Sequence, residues 1–187
     1  MSVSWYNVRK AGQVAAYFAC QEGGTIDVLK LVKLVYLADR NSLGRYGHPI
    51  IDDRLVSMPH GPVNSITLNY INGTVDDLGE WSNYIGGRAN YQVAALKKFQ
   101  REDFDELSDA DIEALESTWK DFGELKKFEI RDWTHNNCPE WEDPDGSAAA
   151  IPHERVLKYL KTPQAEEFSE NLAADRAVED LFASLRG

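Results

Sequence analysis

The residues in this chain best suited to chemistry are two imidazoles and a carboxylate. His60 stands in the turn Pro59-His60-Gly61-Pro62, and Asp132 and His135 lie one helical turn apart in Asp132-Trp133-Thr134-His135. Brought together, they would supply zinc ligands or an acid–base pair. The structural alternative is that His60 hydrogen-bonds backbone in its turn, while Asp132 and His135 satisfy nearby polar groups. No H-E-x-x-H accompanies them, so neither a metal nor a cofactor is expected. Nucleophilic chemistry has less support. G-x-S-x-G and G-x-x-x-x-G-K-[ST] are both absent, and Gly86-Gly87 is too short to cradle a phosphate. Cys20 and Cys138 stand far apart, outside any C-x-x-C or Cys/His cluster, and read as ordinary intracellular thiols. The chain is not expected to be an enzyme.

A second set is suited to recognition. Lys30, Lys33 and Tyr36 share one side of a helix and could meet an acidic patch or a phosphate on a partner. Alternatively, the lysine stems cover apolar surface and their heads reach solvent or a carboxylate. Trp133 and Trp141 suit either a core or an interface hot spot. Trp5 and Tyr6, close to the N-terminus, are read as interface residues because termini are seldom buried.

The elements that must position these residues are mostly helical. Ala11, Val14, Ala15, Phe18 and Ala19 predict a helix from Val8 to Glu22, stopped by Gly23-Gly24. Thr25 is expected to cap a second helix ending around Leu43 to Tyr46. Its wide stripe of Leu31, Leu34, Val35 and Ala38 marks it as central. Asp52 to Met58 reads as extended, and Pro62 as the first residue of a helix that closes at Asn72-Gly73. Trp81–Ile85 and Tyr91–Leu96, flanking a Gly-rich loop, suggest a small hairpin. Ser108 opens a helix to about Gly123, another runs from Lys126 to Thr134 before the Asn136–Pro139 break, and Ile151-Pro152 opens one more. The tail from Gln164 to Leu185 has a helical pattern. The fold class is therefore mainly α, a compact single-domain helical fold with a small β element. The domain is placed at residues 1–162, with a helical extension at 163–187.

With 31 acidic and 20 basic residues the net charge is -11. Such a surface repels phosphate backbones and anionic lipid, which disfavours DNA and favours a basic protein partner. The acid-rich stretch Glu102–Glu124 and the tail are either solvated helix faces or a cover for a basic site. No run resembles a signal peptide or a membrane span, and a cytoplasmic location is expected.

Three segments taken in order resemble the Panacea domain, also called SocA-like or phage-associated. They are Ala15–Phe18 with Thr25-Ile26 and Leu29–Ala38; Tyr46–Pro49 with His60–Val63; and Asp132–His135 with Pro139–Trp141 and Ile151-Pro152. The third departs from the pattern at Asn136-Asn137-Cys138. The resemblance implies a compact helical antitoxin, paired with one of many unrelated toxins and holding it inactive by direct contact. Delivery of the toxin to a protease and repression of the operon are the alternatives. A homo-oligomer stays open. The partner-binding candidates are Trp5, Tyr6, Lys30, Lys33, Tyr36, His60, Asp132, Trp133 and His135.

Overall fold

A computed structural model describes residues 4–186. Among them are seven α-helices and two small antiparallel sheets, so the chain is mainly α with minor β. The first helix, α1, spans Val8–Gln21, and its Asn7 cap accepts from Lys10 N at 2.9 Å. The strand β1 (Thr25–Asp27) follows, and then α2 (Val28–Tyr46). Thr25 is thus a strand residue, and the cap of α2 is Asp27, whose Oδ1 accepts from Leu29 N at 3.0 Å. The pairing that draws Thr25 into extended backbone comes from far along the chain. The strand β4 (Gln92–Ala94) lies antiparallel to β1, with Ile26 opposite Val93.

Helix α2 is the axle of the fold. Helices α4 (Asp109–Phe122), α5 (Lys127–Asn137) and α6 (His153–Tyr159), together with α1 and β3 below, all pack on it. This explains its wide apolar stripe, because a helix covered on several sides cannot keep a polar face. The strands β2 (Leu55–Met58) and β3 (Gly61–Asn64) form a hairpin around Pro59-His60, and β5 (Ala149–Ala150) lies on the other side of β2. Pro62 belongs to β3 and pairs with Ser57; helix α3 begins later, at Ser65, and runs to Asn72. β3 is an edge strand, where a missing N–H costs no ladder bond. Asn64 makes no side-chain cap for α3. Instead the buried Asp53 accepts from Ile66 N (2.9 Å) and Thr67 N (2.8 Å), satisfying donors at the helix start.

The suggested hairpin at 81–96 is reduced to the bridges Ile85–Ala95 and Ala89–Gln92, since β4 gives its regular pairing to β1. Helix α4 opens on a capping box of Ser108 and Asp111. Helix α5 continues past the expected stop through Asn136 and Asn137. Pro139 restricts only its predecessor, Cys138, which leaves the helical region. Helix α7 (Ala165–Arg186) lies outermost. Its Phe168 ring rests on the backbone of Gly47, and its Arg176 guanidinium pairs with Asp52. No helix among the described residues is long and apolar enough to cross a membrane.

Candidate functional site

The lysines and tyrosine of α2 are turned inward. Lys30 is 5 % exposed, and Lys33 and Tyr36 are fully enclosed. The expectation that these three face a partner is therefore corrected, because a helix packed on several sides leaves them no solvent face. Each found an internal partner. Lys30 Nζ donates to Glu22 Oε2 (2.5 Å) and to Gly123 O (2.7 Å), and lies over the Trp119 ring. Lys33 Nζ donates to Pro62 O at 2.8 Å. Burial, with Arg131 adding to it, pulls its pKa down to about 7 despite Cys138 nearby. Tyr36 Oη donates to Glu140 Oε1, which also accepts from Arg40 Nε, both at 2.5 Å. Burial and the Glu140 charge push the Tyr36 phenol well above its ordinary range.

Tyr6 is also buried, against the expectation for a terminus. Its hydroxyl meets Thr67 Oγ1 at 2.9 Å and its ring stacks on Tyr70. Trp5 is half-buried between the guanidinium groups of Arg54 and Arg176. Trp133 is half-buried edge-on against Phe122 at 4.6 Å between centroids.

The turn Pro59–Pro62 does bring His60 and His135 to one region, through Gly61. Gly61 has φ +95°, and a Cβ there would lie 2.9 Å from Thr134 Oγ1, 3.0 Å from Lys33 Nζ and 3.1 Å from His135 Cδ2. Only glycine permits this approach at this φ. The His135 ring stacks on Trp141 at 4.2 Å, and Trp141 Nε1 donates to Met58 O at 2.9 Å. Desolvation first, then the charges of Lys33 and Arg131, lower the His135 pKa. Asp132 is exposed and spends its carboxylate on Arg131. Among the described residues no three His, Cys, Asp or Glu side chains gather closely enough to hold a metal ion. Burial drives the Cys138 thiol up to about 12, which leaves it un-ionised near neutrality.

Beside this turn opens an apolar groove of about 820 Å³. Its walls are Val28, Leu29 and Val32 of α2, Met58 and Val63 of the hairpin, and Leu68 of α3. Lys33 lies at its inner side, and His60, Arg88, Tyr91, Lys127 and Phe128 stand round it. Two large aromatics are left in solvent there, Tyr91 at 72 % and Phe128 at 54 % exposure. Tyr91 and its neighbour Asn90 hold φ of 62° and 51°. Such left-handed backbone is costly outside glycine, and it gathers at ligand clamps and switch regions. The Tyr91 carbonyl is tied to Val28 N at 2.8 Å, which fixes this rim to the start of α2. The sequence reading passed over Arg88, Tyr91 and Phe128, which come from loops and a helix end without a motif. It also passed over the buried acids Asp39, Asp53 and Glu140. An acid at the end of a run as apolar as Leu34–Ala38 was the available signal for Asp39.

No curated protein and no solved structure matches the chain. The family described as antitoxin SocA-like, Panacea domain matches residues 31–142. That span begins inside α2, takes in the hairpin and most of the groove lining, and ends just beyond Glu140 and Trp141. Since it covers more than half of its length, the chain belongs to the SocA-like, Panacea-domain antitoxin family.

Proposed function

We propose that this chain neutralises a toxic protein by binding it directly, as the antitoxin of a toxin–antitoxin or phage-defence pair. The groove carries this reading: an open apolar hollow rimmed by two solvent-exposed aromatics, with no metal cluster beside it among the described residues. Exposed aromatics around an apolar centre are what a protein interface uses. Membership of an antitoxin family supports the same conclusion. Of the residues suggested by the sequence, His60 and Lys33 line this groove, while His135 lies behind its turn against Gly61.

The test is co-expression with the product of the neighbouring gene. Growth arrest by that product alone, relieved by this chain and accompanied by co-purification, is the expected result. A harmless neighbour, or rescue without a complex, defeats direct neutralisation. A second reading, delivery of the toxin to a protease, draws on α7. Val178, Leu181, Phe182 and Leu185 form a solvent-facing stripe there, beside Asp175, Glu179 and Asp180. If a chain lacking residues 163–187 binds the toxin in vitro but fails to rescue growth, the adaptor reading takes precedence.

A further inference from the structure

The charge around the groove opposes the charge of the whole chain. On a protein with net charge -11, the groove residues include Lys33, Arg88, Lys127 and His60 but a single carboxylate, Asp27. That carboxylate is already engaged: one oxygen caps α2 through Leu29 N, and the other pairs with Lys127 Nζ at 2.8 Å. Eleven other lysines and arginines find a carboxylate within 4 Å, among them the buried Lys30 and the half-buried Arg40 and Arg176. Lys33, the most deeply buried of the lysines, has a backbone carbonyl instead, and Arg88 has the amide oxygen of Asn72 and the face of Tyr91. With so many acids available in the chain, a rim arginine lacking any carboxylate partner gives the mouth of the hollow a local positive potential within an acidic field.

Resting on the reading that the chain binds a protein toxin, we propose that the groove receives a segment of that toxin carrying a large apolar side chain next to a carboxylate. The apolar side chain lies between Leu29, Val32, Val63 and Leu68, and the carboxylate turns to Arg88 at the rim. The exposed rings of Tyr91 and Phe128 close over the segment. Tyr91 is presented by backbone held in the left-handed region and tied to α2, so this side of the clamp is formed before the partner arrives. The acidic remainder of the surface then repels neighbouring acidic chains and discourages wrong partners, a specificity device separate from the contact itself.

Two measurements test this on the full chain. In the first, decanoate and decyltrimethylammonium are titrated into the free protein by calorimetry. The groove should prefer the anion by about fivefold or more, although the net charge favours the cation. Leu29→Trp should abolish the binding by filling the hollow. Equal affinities, or preference for the cation, overturn the proposal. In the second, the complex with the neighbouring gene's product is measured with Leu29→Trp, Phe128→Asp and Arg88→Glu, each first shown to melt like the unaltered chain. Each should weaken the complex by about tenfold, while Lys120→Glu on the exposed side of α4 changes it less than about twofold. A complex untouched by all three, or tightened by Arg88→Glu, overturns the groove and leaves neutralisation standing. Absence of any complex with the unaltered chain overturns both.

Discussion

Replacing Gly61 with alanine tests whether the Pro59–Pro62 turn depends on the close approach of its backbone to α5. The new Cβ would lie within 2.9–3.1 Å of Thr134 Oγ1, Lys33 Nζ and His135 Cδ2. None of the three yields freely. Thr134 Oγ1 is bound to Arg131 O at 2.7 Å, Lys33 Nζ to Pro62 O at 2.8 Å, and His135 is stacked on Trp141. Two costs add. A Cβ on left-handed backbone costs about 1–2 kcal/mol, and overfilling a packed site costs about 1–3 kcal/mol. The sum, about 2–5 kcal/mol, lowers the melting midpoint by about 4–20 °C in a domain of this size. Two control variants separate the terms. Gly79 has nearly the same φ, +94°, with nothing within 4 Å of its Cβ, so Gly79→Ala carries the conformational cost alone. Gly87 has open surroundings and ordinary φ, so Gly87→Ala should be neutral or stabilising by about 0.5 kcal/mol. Urea unfolding of the three variants at unchanged m-value supplies the comparison. If Gly61→Ala loses no more than Gly79→Ala, the turn does not press on α5 and the account of this motif is wrong.

Glu140→Ala leaves the buried Tyr36 hydroxyl and the Arg40 guanidinium without their acceptor. It should cost about 3–5 kcal/mol by urea unfolding, and a loss under about 1 kcal/mol would show that the pair is hydrated. Lys33 has a folded pKa of about 7 against an ordinary lysine value of 10.5, so the unfolded chain binds more protons between those values. The unaltered protein should therefore gain stability relative to Lys33→Met as pH rises from 7 towards 10.5; a flat difference would refute its desolvation. His153 is lowered to about 4 by burial and Arg176, so between pH 6.5 and 4 the unfolded chain again holds the extra proton. His153→Phe should lose less stability on acidification over that interval, and parallel acid melts would contradict this. Removing residues 163–187 strips only an outer helix that docks through Phe168 and Arg176. The remaining chain should melt cooperatively with a midpoint lower by several degrees, and loss of the cooperative transition would show that α7 is part of the core.

Helices were legible in this sequence wherever apolar spacing ran for three turns or more, as in α1, α2 and α4. Of the strands, β2 fell within the extended stretch Asp52 to Met58 and β4 within Tyr91–Leu96, but β1 and β3 were not legible, because pairing is decided by partners elsewhere in the chain. Thr25-Ile26-Asp27 carries no strand pattern of its own, and only Gln92–Ala94 makes it one. Pro62 has the composition of a helix start, yet the edge of a hairpin tolerates it equally well. At the site, the residue types of Lys33 and Tyr36 suggested contact with a partner, but types do not reveal on how many sides a helix is covered. Tyr6 was misplaced for a related reason, since a terminus is buried when Thr67 and Tyr70 offer it a polar and an aromatic partner.

The segments that carry the family resemblance act as joinery. Tyr36 and Arg40 of α2 hold Glu140 behind α5, Lys33 holds the carbonyl of Pro62, and Gly61 lets the hairpin turn settle against Thr134 and His135. Each bond runs between segments far apart in sequence, and together they lock the hairpin and α5 to the central helix. The groove is the space left between those locked parts. Its rim is supplied by other residues: Arg88 and Tyr91 from the loop before β4, and Phe128 at the start of α5. Rim residues bear little of the fold, so they can change with small effect on stability, whereas a change at Glu140 or Gly61 threatens it. This division of labour accounts for a recognisable domain whose sequence motif does not disclose its toxin. On the proposed reading, the motif specifies the frame, and the loops mounted on it read the partner.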